Sequence, residues 1–418
     1  MALIAVDMTP VRPCGENGGA KILVLELLKS FQKMAPDNHF LLLTANWNDD
    51  ELSALDAPNM SRLCVLTEEG DKINIHQPRG RISRRLVKLY RGLRRRFKKY
   101  LPQRSGPLAS QGVDLLFCPF TAPTYAEQGI KVVSIVYDLQ HLKFPQFFSQ
   151  DEIDARNGFF EEVRFRADYI VCISEQVRQS VIRYLKTDPK KTSTVHICIQ
   201  SELRIPDGLD ISACLKELGI IKRPYMFYPA NFWPHKNHLM LLTAFNIFLS
   251  RHPECEIDLV FTGALDKFQE VLKTAVKGLG LSERVHFLGF VSREQLAAVL
   301  KGCQFLVFPS LYEGFGIPLL EAMAFGKPVI CSNTTSLPEV GAEAALYFDP
   351  RIPAEMVSCM EKIVFRKSLR SNMKKRGLRR ASEFMTEDMA RNYLDIIYSA
   401  INNNGPSFGQ EVKSLCPL

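Results

Sequence analysis

Short, continuously apolar runs alternate along this chain with longer segments whose apolar positions recur every three to four residues. In the first half, "LIAVD" (3–7), "FLLLT" (40–44), "DLLFC" (114–118), "VVSIVY" (132–137) and "YIVCI" (169–173) predict strands, and helices are expected over 19–34, 151–166 and 175–186. The rhythm restarts with "YMFYPA" (225–230), "IDLVFTG" (257–263), "VHFLG" (285–289), "QFLVFPS" (304–310) and "PVICS" (328–332). Strands apolar on both faces belong in parallel sheets covered by helices, so the pattern predicts an α/β chain.

A polar connection rich in turn signals, residues 201–224, separates the halves. At 418 residues the chain exceeds one comfortable hydrophobic core. The expected organisation is a Rossmann-like domain over 1–205, a second over 206–385, and a disordered tail over 402–418. Two doubly wound domains would face each other across a cleft, with ligands at the carboxyl ends of the strands.

Composition narrows the class. A 46% hydrophobic and 23% charged chain is that of a soluble globular protein. No apolar run reaches the roughly 18 residues of a membrane span, and "MALIAVDMTP" reads as a first strand, not as a leader. Eleven scattered cysteines without a C-x-x-C pair suggest reduced thiols and a cytoplasmic location.

The stretch "SLYEGFGIPLLEAMAFG" (310–326) carries the strongest chemical signal. Glu313 follows an expected strand, where such sheets bind ligands. Gly314 and Gly316 let backbone amides approach an anion closely, and Pro318 suits the first turn of a helix whose positive end faces the same place. Phosphate fits that environment. Glu313 and Glu321 would repel it, but carboxylates accept hydrogen bonds from sugar hydroxyls, and a nucleotide sugar offers hydroxyls on both sides of its diphosphate.

"EGFGIPLLEAMAFGKPVI" resembles the Glu-x7-Glu signature of the retaining family-4 glycosyltransferases of the GT-B fold. "RVHFLGFVSREQLAAVLKGCQFLVFPS" is similar to the segment preceding it there, and the resemblance covers about residues 1–400. It implies that Glu313 holds hydroxyls of the donor sugar, that Glu321 holds the ribose, and that the amides of Phe315, Gly316 and Ile317 meet sugar and diphosphate. It also implies that a C-terminal helix, here 386–401, crosses back to the first domain.

In "YPANFWPHKNHLMLLTAF" (228–245), Lys236 stands just after a strand, where an ammonium neutralises a leaving diphosphate. Asn231 occupies a place where the family often carries a cation and can still donate a hydrogen bond; His235 and His238 read as surface residues. "WPHKNH" looks like the version in bacterial mannosyl- and rhamnosyl-type transferases, which makes GDP-mannose the first donor to consider, ahead of UDP- or dTDP-sugars. The chain contains no Asp-x-Asp and no His/Cys/Asp cluster with metal spacing, so no metal or other cofactor is expected.

On the acceptor side, Gly18 and Gly19 open an amphipathic helix, and the resemblance places such a turn against donor phosphate and acceptor. "SIVYDLQHLKF" (134–144) leaves a strand and presents Asp138 and His141. It resembles a family segment whose histidine faces the anomeric carbon, but Tyr137 stands at that position. Asp138 thus becomes the leading polar residue beside the reacting centre, with His141 as a second candidate; capping of the following turn is the alternative role for Asp138. Ser174 reads as a helix N-cap.

Net charge is +8, yet residues 79–104 hold twelve Arg or Lys and no acid, which leaves the remainder mildly acidic. Ile82, Leu86, Leu89, Leu93 and Phe97 recur at helical spacing there. A basic amphipathic helix of this kind suits an anionic membrane surface. Nucleic acid would attract it too, but no base-reading motif or stacking platform accompanies it.

The sequence therefore predicts an enzyme: a metal-independent, retaining hexosyltransferase of GT-B architecture, acting in the cytoplasm or on the inner face of a membrane. It would move a hexose, mannose first, from a nucleotide diphosphate sugar to a glycan or lipid-linked acceptor in surface-polysaccharide synthesis. Two alternatives are a non-catalytic scaffold that binds nucleotide sugar or membrane, and a glycoside hydrolase using Glu313 and Glu321 as its carboxylate pair.

Overall fold

A computed structural model describes residues 1–13, 18–66, 106–199, 203, 205–206, 208–220, 223–264 and 267–402. The basic segment 79–104 and the tail from 403 to 418 lie outside the described residues.

Among the described residues thirteen strands form two sheets. The first contains β1 (Leu3–Asp7), β2 (His39–Ala45), β3 (Met60–Leu66), β4 (Leu115–Cys118), β5 (Lys131–Val136), β6 (Tyr169–Cys172) and β7 (Thr192–Thr194), in the order β3-β2-β1-β4-β5-β6-β7. The second contains β8 (Tyr225–Pro229), β9 (Asp258–Thr262), β10 (Val285–Phe287), β11 (Phe305–Phe308), β12 (Val329–Ser332) and β13 (Ala345–Phe348), in the order β10-β9-β8-β11-β12-β13. In the second sheet all five neighbouring pairs run parallel. Both orders reverse direction once at the centre, between β1 and β4 and between β8 and β11, as in doubly wound Rossmann-type sheets.

The interior strands are apolar because both faces are covered: every residue of β4, β9, β11 and β12 is buried. Five helices matter below: α1 (Gly18–Met34), α2 (Glu175–Leu185), α3 (His238–Arg251), α4 (Ile317–Ala324) and α5 (Thr386–Ile401). Among the described residues no helix is long and apolar enough to cross a membrane.

The described residues form two compact units. One comprises Met1–Ile135, Glu162–Ile170 and Leu394–Leu418, and the other Val136–Glu161 and Val171–Tyr393. The segment that leaves β5, with Asp138 and His141, and the turn after β6, with Ser174, thus group with the sheet that carries Lys236 and Glu313. Within the first unit, Asn38 donates its side-chain amide to the Tyr398 hydroxyl on α5 at 2.7 Å.

Candidate active site

Lys236 follows β8 and Glu313 follows β11, the two neighbouring strands at which the second sheet reverses. The crevice at such a reversal is where doubly wound sheets take their ligands. Lys236 Nζ lies 2.7 Å from Glu313 Oε1, and the two side chains are only 14% and 13% exposed.

Both loops are held from below. The Tyr228 hydroxyl donates to the Lys236 carbonyl at 2.8 Å and bonds Ser310 Oγ at 2.9 Å. Leu311 N donates to the His235 carbonyl at 2.8 Å. Asn237 takes a left-handed conformation, φ +62°, and its side-chain amide donates to the carbonyls of Pro309 (3.1 Å) and Pro350 (2.8 Å). Glu313 N donates to Thr335 Oγ1 at 3.1 Å, and Ser336 Oγ donates to the carbonyls of Glu313 and Phe315. Tyr228, Asn237, Ser310, Thr335 and Ser336 escaped the sequence reading, because buried hydroxyls and amides acquire a role only once the loops they join are adjacent.

Gly316, φ +105°, turns the chain into α4, and a Cβ there would meet Leu337 Cδ2 at 2.6 Å. Among the described residues nothing accepts from the amides of Phe315, Gly316 and Ile317. Glu321 lies one turn further on, buried, with no hydrogen-bond partner for its carboxylate among the described residues. Burial pushes that carboxyl up to about 7, against the opposing pull of Arg293. Gly326, φ +67°, closes the helix as expected of a glycine at C′.

Asp138 sits against the same loop. Its Oδ1 accepts from Gln140 N at 2.9 Å, capping the next turn, while Oδ2 has no partner among the described residues. Leu139 N donates to the Tyr312 hydroxyl at 3.2 Å, and Ser174 Oγ donates to the Gly314 carbonyl at 2.7 Å. Ser174 Oγ also accepts from Val177 N, the capping bond expected at the start of α2. Burial raises the pKa of the Tyr137 hydroxyl, which lies beside Tyr393; it is a packed group.

The remaining candidates fall elsewhere. His141 is buried, stacked on Phe160 at 5.4 Å, and burial and then Arg156 lower its pKa. Asn231 accepts from Ala264 N at 2.9 Å through Oδ1, so its amide group keeps its donors. Gly18 and Gly19 begin α1 in the first unit. His235 and His238, read as surface residues, are instead buried: Tyr228, Phe232 and Phe261 surround His238, and burial followed by the Lys236 charge pushes both imidazoles down to about 3. Both rings are uncharged at neutral pH.

A cationic side chain, unclaimed amides and hydroxyl-accepting carboxylates around one crevice can hold an anionic sugar derivative. Among the described residues no group of three or more His, Cys, Asp or Glu could hold a metal ion.

Comparison with known proteins agrees. Residues 215–380 match the family model described as glycosyl transferases group 1. The O-antigen chain mannosyltransferase B of Escherichia coli is 27% identical over 262 residues, 62% of this chain and 68% of that protein. The serotype-specific mannosyltransferase WbdA of Escherichia coli is 31% identical over 226 residues, 52% of this chain but 27% of that longer protein. Among solved structures, sucrose-phosphate synthase from Thermosynechococcus elongatus superposes with a TM-score of 0.69 at 20% identity, covering 96% of this chain and 100% of its own. Residues 215–380 thus carry the likeness to group 1 glycosyl transferases, and the chain shares the two-sheet fold of the solved structure on which it superposes.

Proposed function

We propose that the protein transfers mannose, with retention of configuration and without a metal ion, from a nucleotide diphosphate sugar to a glycan or lipid-linked acceptor during surface-polysaccharide assembly. The observation that carries this reading is the Lys236–Glu313 pair spanning the strand reversal beside the unclaimed amides of Phe315 to Ile317. The names of the two Escherichia coli relatives support mannose. GDP-mannose is the first donor to test.

In this mechanism Lys236, the amides and the N-terminus of α4 receive the negative charge that grows on the departing diphosphate, the largest single contribution to lowering the barrier. Glu313 holds donor hydroxyls and Glu321 the ribose. The acceptor oxygen attacks the anomeric carbon from the face the diphosphate leaves, the bond from that carbon to the phosphate oxygen breaks, and the diphosphate takes the acceptor proton. Asp138 Oδ2 orients the acceptor hydroxyl. A hydrolase would instead need its two carboxyls about 5–5.5 Å apart across a sugar. The engagement of Glu313 by Lys236 and the burial of Glu321 speak against that alternative.

The test is thermal stabilisation of the purified protein by a panel of nucleotide sugars, followed by the anomeric configuration of the product. GDP-mannose should raise Tm and yield an α-mannoside; a panel in which no nucleotide sugar stabilises the protein sinks the assignment. The basic segment 79–104 supports peripheral contact with an anionic membrane, which co-sedimentation with phosphatidylserine vesicles checks. Binding should drop on replacing Arg94, Arg95 and Arg96 by Gln, and unchanged binding refutes the contact.

A further inference from the structure

A run of aromatic rings links the loop after β8 to the segment after β5. The Trp233 and His235 rings lie 5.6 Å apart, His235 and Phe147 6.3 Å, Phe147 and Phe144 stack at 5.7 Å, and Phe144 meets Tyr312 edge-on at 6.0 Å. At the far end the Tyr312 hydroxyl accepts from Leu139 N, the residue after Asp138. The run passes alongside the Lys236–Glu313 pair, whose members directly follow His235 and Tyr312 in the chain.

Exposure differs sharply along this row. His235 and Tyr312 are buried and Phe144 and Phe147 are half-buried, whereas Trp233 is 47% exposed. Isolated exposed apolar side chains are ordinary. Trp233 differs in its backing: Pro234 fixes the next backbone torsion, and behind it stands an imidazole that burial keeps neutral. Trp233, three residues before Lys236, is thus about half open to solvent while its ring is backed by buried His235.

We propose that Trp233 is the stacking platform for the acceptor: a hexopyranose of the acceptor glycan lies with its C–H face on the indole, and its hydroxyl is thereby presented to Asp138 and the Lys236–Glu313 pair. This rests on the glycosyltransferase reading above and goes beyond it by assigning a subsite. The chemistry matches, because the indole face carries negative charge density and sugar C–H groups are its natural complement. The alternative occupant is the donor's nucleobase. The ribose-side carboxylate, Glu321, has Arg293 as its charged neighbour, whereas Trp233 connects through His235 to Phe147 on the Asp138 segment. The donor base therefore belongs at the other end of the crevice.

The chain contains two tryptophans, Trp47 and Trp233. Trp47 belongs to the first unit, where its Nε1 donates to the Val11 carbonyl at 3.1 Å. Trp47→Phe thus leaves Trp233 as the single indole reporter. Titrating that variant with α-mannobiose should shift and quench its emission, and the same titration of Trp233→Phe, which keeps Trp47, should not. In steady-state kinetics Trp233→Ala should raise the mannobiose KM about tenfold, with Phe recovering most of the loss and GDP-mannose KM within about twofold of wild type. Emission that responds to GDP alone and not to mannobiose assigns the platform to the nucleobase and overturns the proposal. A mannobiose KM unchanged in Trp233→Ala overturns it as well. Thermal stabilisation of the wild-type protein and of Trp233→Ala by GDP-mannose separates the two readings: no stabilisation of wild type defeats the functional assignment, whereas stabilisation of both with a silent Trp233 defeats the acceptor platform alone.

Discussion

A Cβ placed on Gly314 would stand 2.1 Å from the carbonyl oxygen of Tyr137 and 3.4 Å from the Cβ of Asp138. The residue is glycine for lack of space, since its backbone does not require a positive φ. The loop that carries Glu313 and the segment that carries Asp138 therefore touch main chain to main chain, with Ser174 Oγ bonded to the Gly314 carbonyl on the same turn.

Gly314→Ala must push those backbones apart, because the obstacle is a carbonyl and not the tip of a flexible side chain. We expect a loss of about 1–3 kcal/mol in unfolding free energy, the usual cost of overpacking. Transferase kcat should fall by about a hundredfold, since about an ångström of misplacement at a reacting centre has that cost. Denaturant unfolding and initial rates check the two parts separately.

Lys236 and Glu313 lie 2.7 Å apart with little solvent around either. Removing one leaves the other charge uncompensated, so Lys236→Met and Glu313→Gln should each cost more stability than the double variant implies by addition. A double-mutant cycle in denaturant measures that coupling; strict additivity would show that the pair does not act as a unit. Under the proposed mechanism Lys236→Met also lowers kcat about a hundredfold or more, the scale of losing one preorganised charge stabiliser.

Interior strands were legible in the sequence because burial on both faces forces unbroken apolar runs, as in "DLLFC" and "QFLVFPS". Of the four edge strands only β10 was, as "VHFLG". β3 mixes buried and exposed positions, β7 spans three residues and β13 four, and each lies at the border of its sheet. That Lys236 and Glu313 each follow a strand was legible from strand–loop–helix context. Their mutual pairing was not, because strand order, and with it the adjacency of β8 and β11, is a tertiary property. His235 and His238 were misread as surface residues because an isolated histidine before an apolar helix gives no sign of the aromatic walls that close over it.

Glu339 reaches the N-terminus of α2 from a distant part of the chain. Its carboxylate accepts from Glu175 N at 2.7 Å and Gln176 N at 3.1 Å, and pairs with His196 Nε2 at 2.6 Å. Burial opposes the charge, but the His196 bond and the two amides outweigh it and hold the carboxyl below its ordinary value of 4.5. A depressed carboxyl contributes stability that is present above the unfolded-state pKa and lost as pH falls through the folded one. Glu339→Gln should therefore be less stable than wild type at pH 7, by about 1 kcal/mol as for a lost helix cap, and the difference should close below pH 4.5. Tm measured across pH 3 to 7 decides it; a gap that persists at the acid end contradicts the assignment.

Glu321 behaves in the opposite sense. Burial raises its carboxyl from 4.5 to about 7 in the folded chain. Between those two pH values the folded state binds more protons than the unfolded one, so stability falls as pH rises, by up to about 1.4 kcal/mol per pH unit, and levels off above the folded pKa. Glu321→Gln lacks that titration. Its unfolding free energy should match wild type near pH 4.5, and exceed it at pH 8 where wild type buries an unpaired carboxylate. Under the proposed function nucleotide-sugar binding reverses the advantage: hydroxyls donating to Glu321 would favour its charged form, so wild-type affinity for GDP-mannose should rise from pH 6 to pH 8 and binding should release a proton. Calorimetry in buffers of different ionisation enthalpy reads that proton directly. Wild type and Glu321→Gln showing equal proton release would place the linkage on another group.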